Sequence, residues 1–432
     1  MVKTKATGIP WLPEIADNFS TGFVKQYFYV SKDLSDEGEP ERVLKLARAG
    51  IVEKDVTTNE GQMAASYSGY NKVKVGDLLL NPMDLYSGAN CNVSELDGVI
   101  SPAYSNLRAK HENTVVPKYY DYYFKCQYWL MAMFAHGKGV SFDNRWTLNN
   151  DSLRAYEIPV IPYDLQVQIV NAIQTEEKKV NTLIANVQAQ IEKLKAYRQS
   201  LITEIVTKGL NPDVQMKDSG VDWIGEIPEQ WSTLRVKYIG ETQNGISKGG
   251  EFFGSGYPFV SYGDVYKNIE LPKIASGLVQ STEAEREAYS VQKGDIFFTR
   301  TSETIEEVGF SSVCMETIED ATFAGFLIRL RPFNDALTPE YAKYYFRGEH
   351  IRKYLVKEMN LVTRASLGQG LLKAMTVLIP PHDEQLEIAS YLDEKCIGID
   401  KLISIKQDKI AKLEQYKKSL IYEYVTGKKE VI

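Results

Sequence analysis

The chain has 432 residues, enough for two to four domains with cores of their own, and 44% of them are hydrophobic, as in an ordinary globular protein. With 57 acidic and 50 basic residues, the net charge of −7 disfavours a protein that holds nucleic acid by bulk positive charge, although a local basic face is compatible with it. No apolar run approaches the ~20 residues of a membrane span, no signal peptide is recognisable, and four scattered cysteines predict reduced, buried thiols in a cytoplasmic protein.

Three segments of the first half return in the same order in the second half. Residues 11–25 and 223–237 share seven identities, 117–124 and 339–346 share five of eight, and 193–207 and 412–426 share nine of fifteen. Each second copy starts roughly 220 residues after the first, a distance far longer than the period of a solenoid repeat. The sequence therefore predicts a duplicated unit, an internal pseudo-two-fold repeat, and a partner that also has two halves.

Each half begins with a mixed segment of short strands and turns, at 1–157 and 210–376, and the second segment opens with a polar linker at 209–223. Gly76-Asp77 and Gly294-Asp295 each precede an apolar run, which predicts two matched units of a turn and a buried strand. The tyrosine-rich stretches that follow, 117–135 and 339–355, each start with proline and predict matched helices.

Each half ends in one long predicted helix, within 158–209 and 377–432. Apolar residues recur every seven positions, with others four residues later, which indicates a heptad seam. The first series is Ile173, Val180, Val187, Leu194 and Leu201, and the second is Leu392, Ile399, Leu413 and Leu420. Lys406 interrupts the second seam, whereas Arg198 and Lys417 occupy matching positions, where each could extend its charged end to solvent or fix the register. We expect the two helices to pack on each other as an antiparallel pair; a generic dimerisation coiled coil is the alternative.

Catalytic signatures are hard to find in this sequence. It contains no P-loop, no GxGxxG and no HExxH motif, and its four histidines are dispersed. A duplicated chain of this kind indicates a recognition or scaffold protein.

Together these features resemble the specificity subunit (HsdS) of type I restriction-modification systems, and the resemblance covers essentially the whole chain. It rests on the closing helices at 379–395 and 412–428, on the domain opener at 222–231, and on the run at 73–108. The openers differ, since Ala16 and Phe19 stand where the second half has Pro228 and Trp231. The segments 31–55 and 247–268 have little in common, which the resemblance interprets as two domains that read different sequences.

The resemblance implies a fold of two α/β (α+β) target recognition domains separated by two long helices that form an antiparallel coiled coil. The recognition domains would be 1–157 and, with its linker, 210–376; the helical spacers would be 158–209 and 377–432. The partners would be double-stranded DNA with an asymmetric bipartite target, two methyltransferase subunits and possibly two restriction subunits. S-adenosylmethionine would bind to the methyltransferase subunits, and ATP and Mg to the restriction subunits. No cofactor, metal or catalytic residue is expected on this chain itself.

Side chains that read bases are donors and acceptors on loops beside the duplex. In the first domain the candidates are Lys45, Arg48, Asn81, Ser101, Tyr104, Lys138 and Arg145. In the second domain they are Lys248, Ser261, Tyr262, Thr299, Arg300, Thr301, Thr363 and Arg364. For each of them the alternative is a solvated surface side chain or a member of a structural salt bridge. The candidates for subunit docking are Gln166, Tyr197, Gln385 and Tyr416, and the two tyrosines are equally compatible with packing in the seam.

The sequence has two competing functional interpretations. A DNA-free scaffold would use the duplicated helices to tether partner subunits, and sequence-selective DNA binding in the presence of a methyltransferase partner would distinguish it. A stand-alone enzyme is disfavoured by the missing cofactor motifs.

Overall fold

The computed structural model describes residues 2–431 except 37, 39, 48–49, 57–63, 65, 84, 86–89, 140–145, 303–307 and 359–364. The chain divides into two compact units. The first unit contains Met1–Val187 and Asp408–Ile432, and the second contains Gln188–Gln407. Each unit therefore combines one mixed segment with part of each of the two long helices.

The mixed segment of the first unit contains twelve short strands and four short helices among its described residues. The strands are β1 Thr4–Ile9, β2 Leu12–Ala16, β3 Ser20–Phe23, β4 Phe28–Val30, β5 Val43–Ala47, β6 Gly50–Glu53, β7 Asn71–Val73, β8 Leu78–Leu80, β9 Cys91–Val93, β10 Gly98–Ile100, β11 Ser105–Ala109 and β12 Glu157–Val160. The helices are α1 Val24–Tyr27, α2 Pro117–Trp129, α3 Ala132–Ala135 and α4 Asn150–Arg154, and the long helix α5 Tyr163–Lys208 follows.

The mixed segment of the second unit is built in a similar way among its described residues. The strands are β13 Met216–Asp218, β14 Glu226–Pro228, β15 Ser232–Arg235, β16 Gly240–Asn244, β17 Phe253–Val260, β18 Gly277–Val279, β19 Ile296–Thr299, β20 Thr301–Ser302, β21 Ser311–Val313, β22 Thr322–Phe323, β23 Leu327–Pro332, β24 Ala365–Ser366 and β25 Thr376–Ile379. The helices are α6 Tyr262–Lys267, α7 Glu283–Ala288, α8 Pro339–Tyr345, α9 Glu349–Glu358 and α10 Gln369–Ala374, and the long helix α11 His382–Val425 follows.

The sheets confirm the duplication at the level of strand order. The antiparallel sheet β4-β11-β8-β9 of the first unit has the same order as β16-β23-β19-β21 of the second. The sheet β6-β5-β10, extended by β7, corresponds to β18-β17-β22, and each contains one parallel pair, β5 with β10 and β17 with β22. The opening hairpin β1-β2 corresponds to β13-β14, so Met216–Asp218, inside the predicted linker, is a strand.

Both predicted glycine–aspartate turns are present and are tied to an arginine on the neighbouring strand. Gly76 and Gly294 have φ angles of +92° and +90°, a region that favours glycine because it lacks a Cβ. The buried carboxylate of Asp77 accepts two hydrogen bonds from Arg108, at 2.7 Å each. Asp295 accepts the equivalent pair from Arg331, at 2.7 and 2.6 Å. Two-point pairs of this kind fix the turn geometrically and keep a buried charge compensated.

The two long helices pack together in an antiparallel sense within each unit. In the second unit Gln190 accepts a hydrogen bond from Lys406, and Arg198 forms an ion pair with Asp400 at 3.2 Å. Residue numbers therefore fall along α11 as they rise along α5, which is the antiparallel arrangement. In the first unit Lys417 donates to Asn181 at 3.1 Å. This contact is equivalent to that of Arg198 with Asp400, because the internal repeat matches Lys417 to Arg198 and Asp400 to Asn181. Arg198 and Lys417 thus make polar contacts at equivalent levels of the helix pair, and Lys406 has a polar partner at its seam position.

The tyrosine-rich helices of the two units hold the ends of the long helices in the same way. The Tyr119 hydroxyl donates to the carbonyl of Val425, the last residue of α11, at 2.7 Å, and the Tyr341 hydroxyl donates to that of Val206 near the end of α5, at 2.8 Å. Carbonyl groups in the last turn of a helix lack an intrahelical partner, so each tyrosine satisfies a buried acceptor. Glycine follows each helix end with a positive φ, at 209 and 427.

The sequence difference between the two openers has a structural reason. Trp231 is fully buried, and its indole Nε1 donates to Glu384 Oε2 at 2.9 Å. In the first unit the positions of this pair are occupied by Phe19 and Leu165, which line one small surface cleft. Phenylalanine has no N–H group, so its unit needs no acceptor.

This pairing predicts a coupled effect on stability. Glu384→Leu leaves the buried indole N–H without a partner and is expected to cost about 1–3 kcal/mol. The double variant Trp231→Phe, Glu384→Leu reproduces the pair of the first unit, so its loss in urea unfolding should be smaller than the two single losses together. Strict additivity in this double-mutant cycle would contradict the account.

Two further sequence expectations can be compared with the described residues. Cys91, Cys126, Cys314 and Cys396 are buried and unpaired, as predicted. None of the described helices combines the length and the apolar character that crossing a membrane requires.

Candidate nucleic-acid interface

Three of the predicted DNA-contacting residues of the first unit meet in one cleft. This cleft has a volume of about 400 Å³ and lies at the edge of the sheet β6-β5-β10-β7. It is lined by Lys45, Ser101 and Tyr104. The parallel pairing of β5 and β10 brings them together, because Val99 lies opposite Val43 and Ile100 opposite Leu44. Continued by one residue, this register sets Ser101 beside Lys45.

The same cleft contains two residues that the sequence did not single out, Lys54 and Tyr70. The antiparallel return of β6 along β5 carries Lys54 back to this edge, where its backbone N–H donates to Val43 O at 2.8 Å. Residues 43–54 have the pattern of a hairpin, two strands around a glycine, and this pattern could have predicted that Lys54 lies near β5.

Tyrosine rings form one wall of the cleft. Burial raises the pKa of Tyr70, and the neighbouring hydroxyls of Tyr67 and Tyr104 raise it further. The rings of Tyr67 and Tyr70 pack edge to face, with centroids 5.2 Å apart. A lysine beside aromatic side chains, as in this cleft, is suited to contact both the phosphate groups and the bases of a nucleic acid.

The other candidates of the first unit lie elsewhere. The Asn81 side chain accepts a hydrogen bond from Met83 N at 2.9 Å, in a turn that places Met83 in the cleft wall. Lys138 is exposed, and its backbone is bridged to Thr147. Arg48 and Arg145 lie outside the described residues.

Lys248 of the second unit is committed to an internal ion pair. Its ammonium group donates to Glu285 at 2.8 Å and to Gln280 O at 2.7 Å, and only 14% of the side chain is exposed. The hydrogen bond from Lys248 holds the pKa of Glu285 below its usual range. The alternative interpretation of a structural salt bridge therefore describes Lys248 in this structure.

Ser261 and Tyr262 follow the parallel strand β17 directly. Ser261 caps helix α6, and its hydroxyl donates to Asp264 Oδ2 at 2.9 Å, as does the hydroxyl of Ser276. The ring of Tyr262 stacks on that of Tyr266 with centroids 5.8 Å apart.

Thr299 is fully buried, which is at odds with its predicted contact to DNA. Its hydroxyl accepts a hydrogen bond from Phe310 N at 2.9 Å, so it serves the fold of the sheet. Arg300 and Thr301 follow at the end of β19 and are half-buried, and Thr301 lies opposite Ser366 in the short pair β20-β24. Thr363 and Arg364 are outside the described residues.

No cluster of side chains suited to a metal ion occurs among the described residues. Near these sheet edges the two units present polar and aromatic side chains that differ between the units.

Comparison with known proteins identifies similar chains. The family model of the type I restriction modification DNA specificity domain matches residues 228–415. The type I restriction enzyme MjaVIII specificity subunit of Methanocaldococcus jannaschii is 22% identical over 403 residues, which cover 93% of this chain and 86% of that protein. The chain is similar to type I restriction-modification specificity subunits over most of its length.

Other specificity subunits match this chain over shorter spans. The putative MjaX specificity subunit of M. jannaschii is 29% identical over 209 residues, about half the length of either protein (47%). The EcoKI specificity subunit of Escherichia coli K12 is 23% identical over 287 residues, 62% of this chain and 57% of that protein.

A solved structure has the same fold over nearly the whole chain. It is described under complex assembly and conformational transition of the type I R-M system. The TM-score is 0.67 at 15% identity, over 95% of this chain and 98% of that chain.

Two of the residues predicted to dock partner subunits, Gln166 and Gln385, are bonded within the fold. Gln166 is fully buried: its Oε1 accepts from Val116 N at 2.6 Å, and its Nε2 donates to Thr114 O and Ile161 O at 3.1 and 3.0 Å. Gln385 makes the equivalent three bonds to the backbone of Thr338, Ala336 and Pro380. Both side-chain amides are buried and form their hydrogen bonds with the backbone of their own unit, which argues against a docking contact.

The two tyrosines predicted for docking face solvent, which decides against packing in the seam. Tyr197 is 58% exposed and Tyr416 is 50% exposed. Each unit also exposes a leucine beside the seam, Leu183 at 50% in the first and Leu402 at 48% in the second. The sequence interpretation missed these leucines, although the internal repeat matches one to the other and was a visible signal.

Proposed function

We propose that this chain is the DNA-recognition subunit of a type I restriction-modification complex, with one domain for each half of an asymmetric bipartite target. The observation that carries the proposal is the pair of corresponding sheets, each with one parallel strand pair, that present different side chains at the same edge, Lys45 in one unit and Ser261 in the other. A duplicated scaffold with unlike reading surfaces fits a target whose halves differ. The family of specificity subunits supports this function, and nothing in the comparisons favours a DNA-free scaffold.

In this proposal the chain itself is non-catalytic and acts in the cytoplasm. A methyltransferase subunit would bring S-adenosylmethionine, and restriction subunits would bring ATP and Mg. The acidic total of −7 is compatible with DNA binding when partners contribute positive charge along the duplex.

Incubation with DNA from a methylation-free host and labelled S-adenosylmethionine tests the function without knowledge of the target. The complex of this chain with its cognate methyltransferase subunit should transfer methyl groups, whereas neither component alone should do so. A stable complex that leaves the DNA unmethylated would support the scaffold instead.

Exposed apolar pairs on the helices support two equivalent docking sites for the methyltransferase. In the first unit the contact between Lys417 and Asn181 fixes the register, so Leu183 and Tyr416 occupy neighbouring levels of the helix pair. In the second unit the ion pair of Arg198 with Asp400 does the same for Tyr197 and Leu402. All four side chains flank the seam and are about half exposed. Because the pairs are related by the repeat, a partner that binds one should bind the other, which supports two copies per chain.

Charged substitutions at one pair should therefore remove one copy of the partner. The variant Leu183→Glu, Tyr416→Glu is expected to weaken one docking site by roughly 30-fold, the effect of losing a buried aromatic anchor. Native mass spectrometry at concentrations between the two affinities should then show one methyltransferase per chain. The control Thr182→Glu adds a charge on an exposed neighbouring position and should keep two copies. Two retained copies in the double variant would remove this surface from the interface.

A further inference from the structure

The edge of the parallel strand pair has different chemistry in the two units, although its topology is the same. In the first unit Lys45 of β5 lies at this edge, one residue past Leu44, which pairs with Ile100. In the second unit the residue past the equivalent pair, Val260 with Phe323, is Ser261. The two side chains thus stand at corresponding places of the repeated sheet.

The surroundings of these residues differ as strongly as the residues themselves. The cleft around Lys45 is lined by Lys54, Tyr70 and Tyr104, and no carboxylate occurs among the described residues that line it. Ser261 instead bonds to Asp264, a buried carboxylate that also accepts from Ser276. The first edge offers the exposed ammonium group of Lys45, whereas the second offers hydroxyl groups oriented by a carboxylate.

Base pairs present different patterns of donors and acceptors in the major groove, so the two surfaces suit different bases. Guanine presents two acceptors, O6 and N7, and its preferred partners are arginine and lysine. The exposed Lys45 side chain is supported by the strand backbone, and Tyr70 and Tyr104 limit the space beside it. A lysine held on a strand at the edge of a cleft suits base readout better than one on a free loop.

We propose that Lys45 is a specificity-determining residue that selects guanine at one position of the half-site read by the first domain. Lys54 lines the same cleft. The inference rests on the DNA-recognition function proposed above and adds the base class and the side chain that reads it.

The test maps methylated positions in a methylation-free host that carries the methyltransferase subunit with wild-type or variant chain. With Lys45→Ala, one guanine position in one half of the motif should become degenerate, with discrimination there reduced by roughly 5- to 150-fold. The other half should be unchanged. Lys45→Arg keeps a donor for the guanine edge and should retain the wild-type motif. The control Lys110→Ala removes an exposed lysine of the same unit that does not line the cleft, and should also leave the motif unchanged.

The outcomes separate this inference from the function on which it rests. A wild-type complex that produces no motif would refute the proposed function itself. A wild-type motif that persists in the Lys45→Ala variant, at normal or uniformly reduced methylation, would overturn the assignment of Lys45 alone. Degeneracy in both halves would overturn it as well. Thermal unfolding of each purified complex shows whether the variant chain is folded.

Discussion

Gln166→Leu is expected to destabilise the first unit by several kcal/mol, although it exchanges side chains of similar size. The substitution removes one acceptor and two donor contacts, which leaves Val116 N, Thr114 O and Ile161 O without their partner. A buried polar backbone group without a partner costs about 1–3 kcal/mol, and the Gln166 side chain that satisfies these three groups is fully buried. For a unit of this size the melting temperature should fall by roughly 5–20 °C.

The matched control is Gln168→Leu, two residues further along the same helix and exposed. It also replaces a side-chain amide by an apolar group, but at an exposed position. The melting temperature should therefore shift by no more than about 1–2 °C, as surface substitutions generally do. Differential scanning calorimetry of both variants provides the comparison. Equal shifts for Gln166→Leu and Gln168→Leu would show that the buried amide does not stabilise the fold. The equivalent change Gln385→Leu should act on the second unit in the same way.

Acid should destabilise the second unit through His350. This imidazole is 3% exposed, and its two ring nitrogens have no hydrogen-bond partner among the described residues. Burial, and to a smaller degree the nearby charge of Lys353, lower the pKa of His350 to about 3. The ring stays neutral in the folded state where the unfolded state, with a pKa of about 6.5, takes up a proton.

The sign of the effect follows from proton binding. Below pH 6.5 the unfolded state binds one more proton at this site than the folded state, so stability falls as the pH falls, down to about pH 3. The slope is about 1.4 kcal/mol per pH unit, which amounts to about 2 kcal/mol between pH 6.5 and pH 5.

His350→Phe removes the titrating group while it keeps an aromatic ring against Tyr345, whose centroid lies 4.7 Å away. Urea unfolding of this variant should show a pH dependence that is shallower by one proton below pH 6.5. The exposed His111 provides the control, since His111→Phe should keep the wild-type slope. An unchanged slope in His350→Phe would contradict the account of a buried neutral histidine.

Local rules predicted much of this fold correctly. The heptad seam, the helix-initiating prolines and the Gly76-Asp77 and Gly294-Asp295 turns depend on neighbours within a few residues, and all appear where the sequence places them. The duplication added a second, independent copy of each signal. The sheet order required the structure, because strands such as β5 and β10 pair although four other strands lie between them in the chain.

The candidate site was less predictable, because burial depends on distant parts of the chain. Gln166 stands in a helix start where a polar side chain could face solvent or the backbone, and the carbonyls of Thr114 and Ile161 decide the outcome. Thr299 ends a strand buried on both faces, a property that its own sequence does not reveal. Lys54 joins Lys45 only through the hairpin of β5 and β6. These placements arise from tertiary pairing, which single-sequence patterns do not encode.

The most direct test of the central claim is long-read methylome sequencing of a methylation-free host that expresses the cognate methyltransferase subunit with or without this chain. The account predicts one new adenine-methylated motif that is bipartite, asymmetric and strictly dependent on the chain. A motif that appears without the chain, or a stable complex that deposits no motif at all, would contradict the assignment of this protein as the reader of the target.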